Sequence, residues 1–265
     1  MWDPAGFSRW NVETGRRTGS DPVLAKACEG TPTLPRSEDG RTIGVNCRGR
    51  LHFFDLRTAR PLGTWQIPKD KGVALYTPSP DGRLAGIVMA GALDVVEIQQ
   101  LGDGGQGASV KIDAEVERLS IAPGATWLGV GTFRGVGVRQ LPDGKLHRTI
   151  EGRSAHAFTD DGTRIAVETG SGATIVDLQR DAALRQVDGR VSELRFGGGG
   201  QLLTGWNNQS VFVWDLSSGV QRMTVSGEDV VGAALSSDGA RLVTVDLERR
   251  GGGAAAVVAI WRVPK

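Results

Sequence analysis

The sequence predicts an all-β fold made of repeated four-stranded antiparallel sheets, and two regular features carry this prediction. The first is a tight-turn dipeptide, usually Asp-Gly, that recurs every 38 to 42 residues between short apolar runs. Glycine adopts the positive φ that a tight hairpin turn requires, so each dipeptide indicates two strands joined by a hairpin. The dipeptides begin at Asp39, Asp81, Pro123, Asp161, Gly199 and Asp238.

The second feature is a position sixteen residues after the start of each turn, where another apolar run ends. In the sixth repeat the corresponding triplet, Trp261-Arg262-Val263, follows an insertion. Each repeat is therefore predicted to contain a strand, the turn, a second strand, a loop, a third strand, a turn and a fourth strand. The position is occupied in the first five repeats by Asp55, Glu97, Arg139, Asp177 and Asp215.

Residues 191–225 indicate how these sheets pack. Their predicted third strand contains the run Val211 to Trp214, which is apolar on both faces instead of alternating. A strand has this pattern when protein covers both of its faces. Stacking several such sheets around one axis covers both faces of each sheet and gives a β-propeller. The predicted fold is thus an all-β propeller of four-stranded antiparallel blades.

The repeat resembles that of the WD-repeat propellers, in which the four-stranded unit of roughly 40–45 residues carries a Trp-Asp signature. Trp214-Asp215 matches this signature, and the segment from Trp10 to Arg16 resembles a variant of it. The sequence contains no Gly-His dipeptide, so the family's buried hydrogen-bond network around that histidine cannot be complete in any blade. The resemblance implies degenerate blades held by apolar packing, with a partner-binding surface on the loops at the narrow end of the ring.

The repeats divide the chain, taken as one domain of residues 1–265, into blades, and six repeats are visible. Two plans remain open. A strand around Arg16 to Ser20 could complete the last blade and give six blades. Alternatively, residues 1–20 are the back half of a seventh blade whose front half lies upstream of Met1, a plan that the surplus segment Phe7 to Val12 favours. The predicted blades cover residues 1–22 (partial), 23–66, 72–112, 115–150, 153–187, 190–225 and 229–265.

Charge and cysteine usage argue against several classes of partner. The chain has 31 basic and 30 acidic side chains, so no overall charge attracts it to nucleic acid or to anionic membranes. No apolar run is long enough to cross a bilayer. Cys28 and Cys47 are the only cysteines, too few for a disulfide framework or a zinc quartet. We therefore expect reduced thiols, a cytoplasmic protein, and neither a nucleic-acid partner nor a membrane.

Catalytic and metal sites are not predicted. His52, His147 and His156 lie at different positions of different repeats and have no metal-ligand spacing. Four recurring carboxylates are explained by turn chemistry, in which an Asp side chain accepts nearby backbone N–H groups. The sequence therefore predicts no enzyme, no catalytic residue, no cofactor and no metal. These turn carboxylates are Asp39, Asp81, Asp161 and Asp238.

Two groups of loop residues are candidates for partner binding. Trp206, Asn207 and Asn208 would place an indole beside amide side chains at a loop tip, as in an interface hot spot. The alternative, that Trp206 folds onto its own blade, remains open. The second group is a possible basic rim, to which a peptide with a few acidic residues would be suited. This rim consists of Arg48, Arg50, Arg134, Arg249 and Arg250.

The sequence as a whole favours a non-enzymatic protein-interaction scaffold or sensor module that binds a protein or peptide. One alternative is an enzyme or small-ligand binder that uses the central channel. It would need His, Asp or Glu side chains converging at the starts of the innermost strands, and the aligned repeats show no such column. A further alternative, motivated by the N-terminal half-repeat, is the C-terminal sensor part of a longer signalling protein.

Overall fold

The computed structural model describes residues 2–3, 6–11, 14, 16–21, 36–37, 40–101, 107–250 and 253–265. Nearly all of these residues lie in strands joined by turns and short loops. A 3-10 turn at Gly198–Gly200 is the one helical segment among them. No helix in this part of the chain has the length and apolar character needed to span a membrane.

The described strands form seven antiparallel sheets, three of three strands and four of four strands. The first two sheets contain β1 (Trp2–Asp3), β2 (Gly6–Trp10) and β3 (Arg17–Asp21), and then β4 (Thr42–Cys47), β5 (Arg50–Asp55) and β6 (Pro61–Gln66). The four-stranded sheets contain β7 (Val73–Pro78), β8 (Leu84–Met89), β9 (Val95–Gln100) and β10 (Ala108–Lys111); β11 (Arg118–Ile121), β12 (Trp127–Thr132), β13 (Gly135–Gln140) and β14 (Leu146–Ile150); β15 (His156–Phe158), β16 (Arg164–Glu168), β17 (Gly172–Asp177) and β18 (Ala182–Asp188); and β19 (Glu193–Gly197), β20 (Leu202–Trp206), β21 (Ser210–Asp215) and β22 (Gln221–Ser226). The last sheet contains β23 (Val230–Leu235), β24 (Arg241–Arg250) and β25 (Gly253–Arg262).

The pairing of the strands bears on the number of blades. Strands that follow one another in the sequence are hydrogen-bonded neighbours within each sheet, as predicted. The N-terminal strands pair among themselves, and none of the described strands pairs with the outer edge of β25. The seven sheets are consistent with a propeller of about six to seven blades, and the choice between the two plans stays a prediction.

The turns between first and second strands have the predicted chemistry. Gly82, Gly162 and Gly239 have φ values of 68°, 67° and 70°, which glycine adopts without strain. Oδ1 of Asp161 accepts hydrogen bonds from Thr159 Oγ1 at 2.5 Å and from Thr163 N at 3.0 Å, and the carboxylates of Asp81 and Asp238 accept the corresponding pairs. These three side chains stabilise turns, and Asp39 lies outside the described residues.

Neighbouring sheets pack face to face through apolar side chains. One cluster joins Ala157, Ile175 and Val187 of the β15–β18 sheet to Leu203 and Trp214 of the β19–β22 sheet. In the third strand of the latter sheet, Val211, Val213 and Trp214 are at most 2% exposed. The apolar run was thus correctly interpreted as a strand covered on both faces. The core is a series of such clusters between successive blades.

The Trp-Asp signature ends β21 and fixes the turn that follows. Oδ1 of Asp215 accepts hydrogen bonds from Ser217 N at 2.7 Å, Ser217 Oγ at 2.5 Å and Ser218 N at 3.1 Å. Its other oxygen pairs with the Arg222 guanidinium on β22. The Ser217 hydroxyl and the other donors hold the pKa of Asp215 well below its ordinary value. The aspartate therefore ties the third strand to the fourth.

Two sequence-based expectations about local structure are wrong. Cys47 at the end of β4 is disulfide-bonded, not a free thiol, and Cys28 lies outside the described residues. Because disulfides persist mainly in oxidising compartments, cysteine usage no longer supports a cytoplasmic location. The insertion before Trp261, which contains Arg249 and Arg250, was expected to be a loop. Its described residues instead extend β24 and β25 into a long hairpin, in which Asp246 faces Val257 and Glu248 faces Ala255.

Candidate partner-binding face and central channel

The loop after β20 follows the alternative that the sequence left open, in which Trp206 folds onto its own blade. Trp206 is 6% exposed and packs with Val211 and Val230, so it is part of the core and not an exposed anchor. Asn207 serves the loop itself: Oδ1 accepts from Gln209 N at 2.8 Å, and Nδ2 donates to Arg190 O at 2.6 Å. Asn208 is exposed at the loop tip. The indole lies inside because Trp206 is the last residue of β20 and not part of the loop.

The predicted arginine rim is spread over three sheets. Arg48 is exposed in the β4–β5 loop, and Arg50 is also exposed but donates from Nε to Gln66 Oε1 at 2.6 Å. Arg134 is exposed in the β12–β13 loop. Arg249 and Arg250 are the last residues of β24, paired through the backbone with Ala254 and Gly253 of β25, so they lie in a strand and not in the expected loop.

A stronger candidate surrounds Arg134. Phe133, the preceding residue, is 61% exposed, and the Arg134 Cζ atom lies 5.1 Å from the centre of its ring. This is a cation–π distance. The loop is held in place because Thr132 Oγ1 donates to Gly135 O at 3.1 Å and accepts from Arg134 N at 3.2 Å. The chain therefore presents a large aromatic ring to solvent on a short, fixed loop.

A cavity of roughly 460 Å³ lies beside this ring. Its walls come from loops of three successive sheets: Phe133, Arg153 and Ser154, and Val191 and Ser192. These are the second-to-third and fourth-to-first loops, which lie at the opposite end of the antiparallel sheets from the Asp-Gly turns. Phe133, Arg153 and this cavity together are called the Phe133 pocket below.

A buried carboxylate shapes the floor of the Phe133 pocket. Glu168 is 3% exposed, and its Oε1 accepts a hydrogen bond from Gly170 N at 2.5 Å. Its Oε2 lies 3.8 Å from Nε of Arg153, whose own side chain is 71% exposed. The Glu168 charge is thus buried and partly balanced, while the Arg153 guanidinium faces solvent. The exposed Glu117 also lines the cavity, and Arg134 lies beside it next to Phe133, so the exposed part of the site carries both charges.

Next to the pocket, the innermost strands enclose a channel of roughly 430 Å³. Arg118 at the start of β11 forms an ion pair with Glu193 at the start of β19. His156 is the first residue of β15, the first strand of the sheet that lies between these two in the sequence. The aligned repeats show no column of His, Asp or Glu side chains at these positions. The residues differ in type from one repeat to the next, so an aligned column does not reveal them. Comparing the first polar residue of each first strand would have done so.

His156 is the most confined titratable group of the channel. It is 2% exposed, and Nδ1 donates to Ser154 O at 2.7 Å. Burial lowers its pKa to about 4, and the Arg118 charge acts in the same direction, so the ring is neutral at pH 7. The backbone of Gly129 lies beside the ring, but Nε2 makes no hydrogen bond of normal geometry. The buried Oγ of Ser120 also makes none.

The chemistry that this arrangement supports is binding. Ser120 Oγ and His156 Nε2 are both without hydrogen bonds, so they do not form a serine–histidine pair with each other. Among the described residues, no group of three or more His, Cys, Asp or Glu side chains is placed to hold a metal ion. The two features of interest are an exposed aromatic–arginine surface and a polar channel beside it.

Known structures identify the fold. No protein-family model and no curated protein matches the chain. Hsv2 of Kluyveromyces marxianus superposes with a TM-score of 0.67 at 14% identity, covering 82% of this chain and 74% of that one. Hsv2 of Kluyveromyces lactis gives 0.67 at 12% identity over 89% and 76%. The β-propeller domain of Myceliophthora thermophila Cps50 (Swd1) gives 0.65 at 13% identity over 96% and 88%. This chain is a β-propeller. At these identities the likeness concerns the fold alone, and it agrees with the resemblance of the repeats to those of WD-repeat propellers.

Proposed function

We propose that this propeller is a protein-interaction module that binds a polypeptide partner at the Phe133 pocket. The observation that carries the proposal is a 61% exposed phenylalanine on a fixed loop, with Arg134 stacked on its ring and a cavity beside it. Aromatic and arginine side chains next to a pocket are the usual centres of binding energy in protein interfaces.

The proposed partner segment has a carboxylate beside an apolar side chain. Two exposed guanidinium groups, that of Arg153 on the cavity wall and that of Arg134 beside Phe133, outnumber the one exposed carboxylate of the wall, Glu117, while Glu168 is buried near Arg153. A guanidinium binds a carboxylate through strong charge-assisted hydrogen bonds. The apolar side chain would occupy the cavity between Phe133 and Val191. Of the residues first considered for binding, Arg134 belongs to this site, and Arg48, Arg50, Asn208, Arg249 and Arg250 remain predictions.

Site-specific cross-linking tests the location. A photo-reactive amino acid at Ser192, which lines the pocket, is compared with the same group at Ser218, an exposed serine in a turn on the opposite face. We expect a defined partner to be cross-linked from Ser192 only. Equal cross-linking from Ser218 would count against the proposed face.

Affinity measurements with the captured partner test the residues. Phe133→Ala is expected to weaken binding at least tenfold, which corresponds to about 1.4 kcal/mol or more. Val220→Ala, at a 59% exposed position on the opposite face, serves as the matched control and should leave affinity unchanged. An unchanged affinity for Phe133→Ala would refute the proposal, provided that circular dichroism shows both variants to be folded.

A second candidate function is the binding of a small polar molecule in the channel. The neutral His156 donates through Nδ1 to Ser154, so its Nε2 can accept a hydrogen bond, and Ser120 Oγ is also available. To test this, polar metabolites are added one at a time to the protein, and NMR spectra of the His156 ring are recorded. A ligand that binds in the channel would shift these signals. If no compound perturbs them, this candidate fails. The absence of enzymatic activity, the cytoplasmic location and the place in a longer signalling protein stay predictions.

A further inference from the structure

The residues around the Phe133 ring follow a fixed order from the channel outwards. In its sheet β11 is the innermost strand, with β12 and then β13 outside it. Glu117 directly precedes β11, and its backbone N donates to Gly131 O on β12 at 2.9 Å. Phe133 and Arg134 form the turn between β12 and β13. A residue with a carboxylate, one with an aromatic ring and one with a guanidinium therefore follow one another from the channel side of this sheet to its outer side.

Glu117 lies where the two cavities meet. It lines the channel together with Arg118 and Glu193, and it lines the cavity of the Phe133 pocket together with Arg153. Its side chain is exposed and can be reached from solvent. A partner segment that occupies the Phe133 pocket therefore borders this carboxylate.

The charge of Glu117 is not balanced within the described part of the chain. Among the residues that the structure describes, this carboxylate forms no ion pair and accepts no hydrogen bond. Two arginines of the cavity walls have other carboxylates beside them: Arg118 forms an ion pair with Glu193, and Nε of Arg153 lies 3.8 Å from Oε2 of Glu168. A partner that covers Glu117 would remove water from an unpaired negative charge, which costs free energy unless a positive charge replaces that water.

Arg134 carries an unpaired charge of the opposite sign. Its guanidinium lies over the Phe133 ring and forms no ion pair with any carboxylate in the described part of the chain. The other arginines of the channel wall, Arg36 and Arg195, have interactions of their own. The two unpaired charges beside Phe133 are thus a negative one at the channel end of the site and a positive one at its outer end.

We propose that Glu117 binds a lysine or arginine of the partner, so that the partner segment crosses the Phe133 loop with this cation on the channel side and its carboxylate on the outer side, at Arg134. The proposal rests on the proposed function of the Phe133 pocket and adds a second charge and a direction to the bound segment. The reverse direction would bring like charges together at both ends, which opposes binding. The partner segment therefore has an apolar side chain between a basic and an acidic residue.

A metal ion does not take the place of this cation. Calcium and magnesium need several oxygen ligands arranged around them. Among the described residues, Glu117 belongs to no group of three or more His, Cys, Asp or Glu side chains placed to hold a metal ion. A lysine or arginine can pair with a single carboxylate, because water bonds to its remaining N–H groups.

Random peptides displayed on phage test the proposal without a captured partner. Parallel selections on the wild-type chain and on Phe133→Ala identify the peptides that need the pocket. We expect these peptides to carry an apolar residue between a basic and an acidic one. Peptides that need Phe133 but are not enriched in lysine or arginine would overturn this proposal and leave the proposed function standing. If no selected peptide needs Phe133, both are overturned.

Affinities of a selected peptide, made synthetically, test the residue. Glu117→Gln should weaken binding about fivefold, as expected for the loss of an exposed ion pair, and Glu117→Lys about tenfold or more. Glu115→Gln is the matched control, because it removes an exposed carboxylate of the same loop that lines neither cavity, and it should leave the affinity unchanged. Equal losses for Glu117→Gln and Glu115→Gln would show a general effect of charge and would overturn the assignment of Glu117.

Reversing both charges tests the contact and its direction. A peptide with glutamate in place of its basic residue should bind Glu117→Lys more tightly than it binds the wild-type chain. Arg134→Gln should weaken binding through the peptide's carboxylate and leave the preference for the basic residue unchanged. If Glu117→Lys keeps the wild-type preference, or if Arg134→Gln and not Glu117→Gln removes the preference for the basic residue, the cation does not lie at Glu117 and the proposal is wrong.

Discussion

The β19–β22 sheet and the β23–β25 sheet carry the same pattern with different outcomes. In the first, Trp214 on the third strand lies opposite Leu203 on the second; in the last, Trp261 lies opposite Leu242. Both leucines are fully buried. Trp214, however, is 2% exposed, and Trp261 is 37% exposed. Two tryptophans at equivalent positions of their sheets thus differ by about a third in the fraction of their surface that is exposed to solvent.

The difference shows what a fourth strand contributes to a blade. In the β19–β22 sheet, β22 pairs with the outer edge of β21, and Asp215 ties the two strands together through Ser217 and Arg222. In the last sheet the equivalent of Asp215 is Arg262, and the described residues contain no fourth strand. The second strand is covered either way because it lies between two neighbours. The third strand is covered only when the fourth is present.

The largest expected effect contrasts the two tryptophans. Trp214→Ala should reduce the free energy of unfolding by about 3–5 kcal/mol, because it leaves a cavity between two blades. Trp261→Ala should cost about 1–2 kcal/mol, since part of that side chain already contacts water. Urea unfolding followed by circular dichroism measures both. Equal losses would show that β25 is covered in solution as completely as β21.

A smaller, pH-dependent effect is expected at the ends of the two third strands. Hydrogen bonds from Ser217 and Ser218 and the Arg222 charge lower the pKa of Asp215 in the folded chain below its ordinary value of 3.8. A lowered folded-state pKa stabilises the fold above the unfolded pKa, and this contribution is lost as pH falls further. Asp215→Asn should therefore destabilise the chain at pH 7 and make progressively less difference below about pH 4.

The matched change in the last sheet is Arg262→Gln, because a guanidinium keeps its charge throughout this range. Its effect on the free energy of unfolding should be small and the same at pH 7 and pH 3. Unfolding curves recorded at several pH values separate the two cases. If Asp215→Asn has the same cost at both pH values, the turn is stabilised by something other than the carboxylate.

The sequence predicted the repeating part of the molecule well because a blade is specified locally. The run Val211 to Trp214, predicted to be a third strand, lies within β21 (Ser210–Asp215). Positive φ at the turn glycines and the apolar runs are properties of single segments. Whether other strands cover a given strand depends instead on distant parts of the chain. Val257 to Trp261 is as apolar as Val211 to Trp214, yet only the second run is covered.

The binding surfaces were predicted less well for a related reason. Trp206 was considered an exposed anchor because it precedes polar residues, but it is the last residue of β20 and lies in the core. Phe133 was overlooked because it stands alone in its loop, and its exposure depends on the short turn between β12 and β13. The channel residues Arg118, His156 and Glu193 converge only in space. A site formed by side chains from several blades can be recognised only when the closed ring is known, because the repeat describes one blade at a time.

The subtlest contrast lies in the backbone amides of the two third strands. In β21, Leu216 N donates to Gln201 O on the β20 side. Because the direction of the backbone groups alternates along an antiparallel strand, the amides of Val211 and Val213 point to the other side, towards β22. The corresponding amides in β25, those of Val258 and Ile260, point away from β24. Hydrogen exchange should therefore be slow at Val211 and Val213 at every protein concentration. At Val258 and Ile260 it should be faster, because the described residues contain no strand that supplies acceptors for these amides. Exchange at Val258 as slow as at Val211 would mean that a further strand covers this edge.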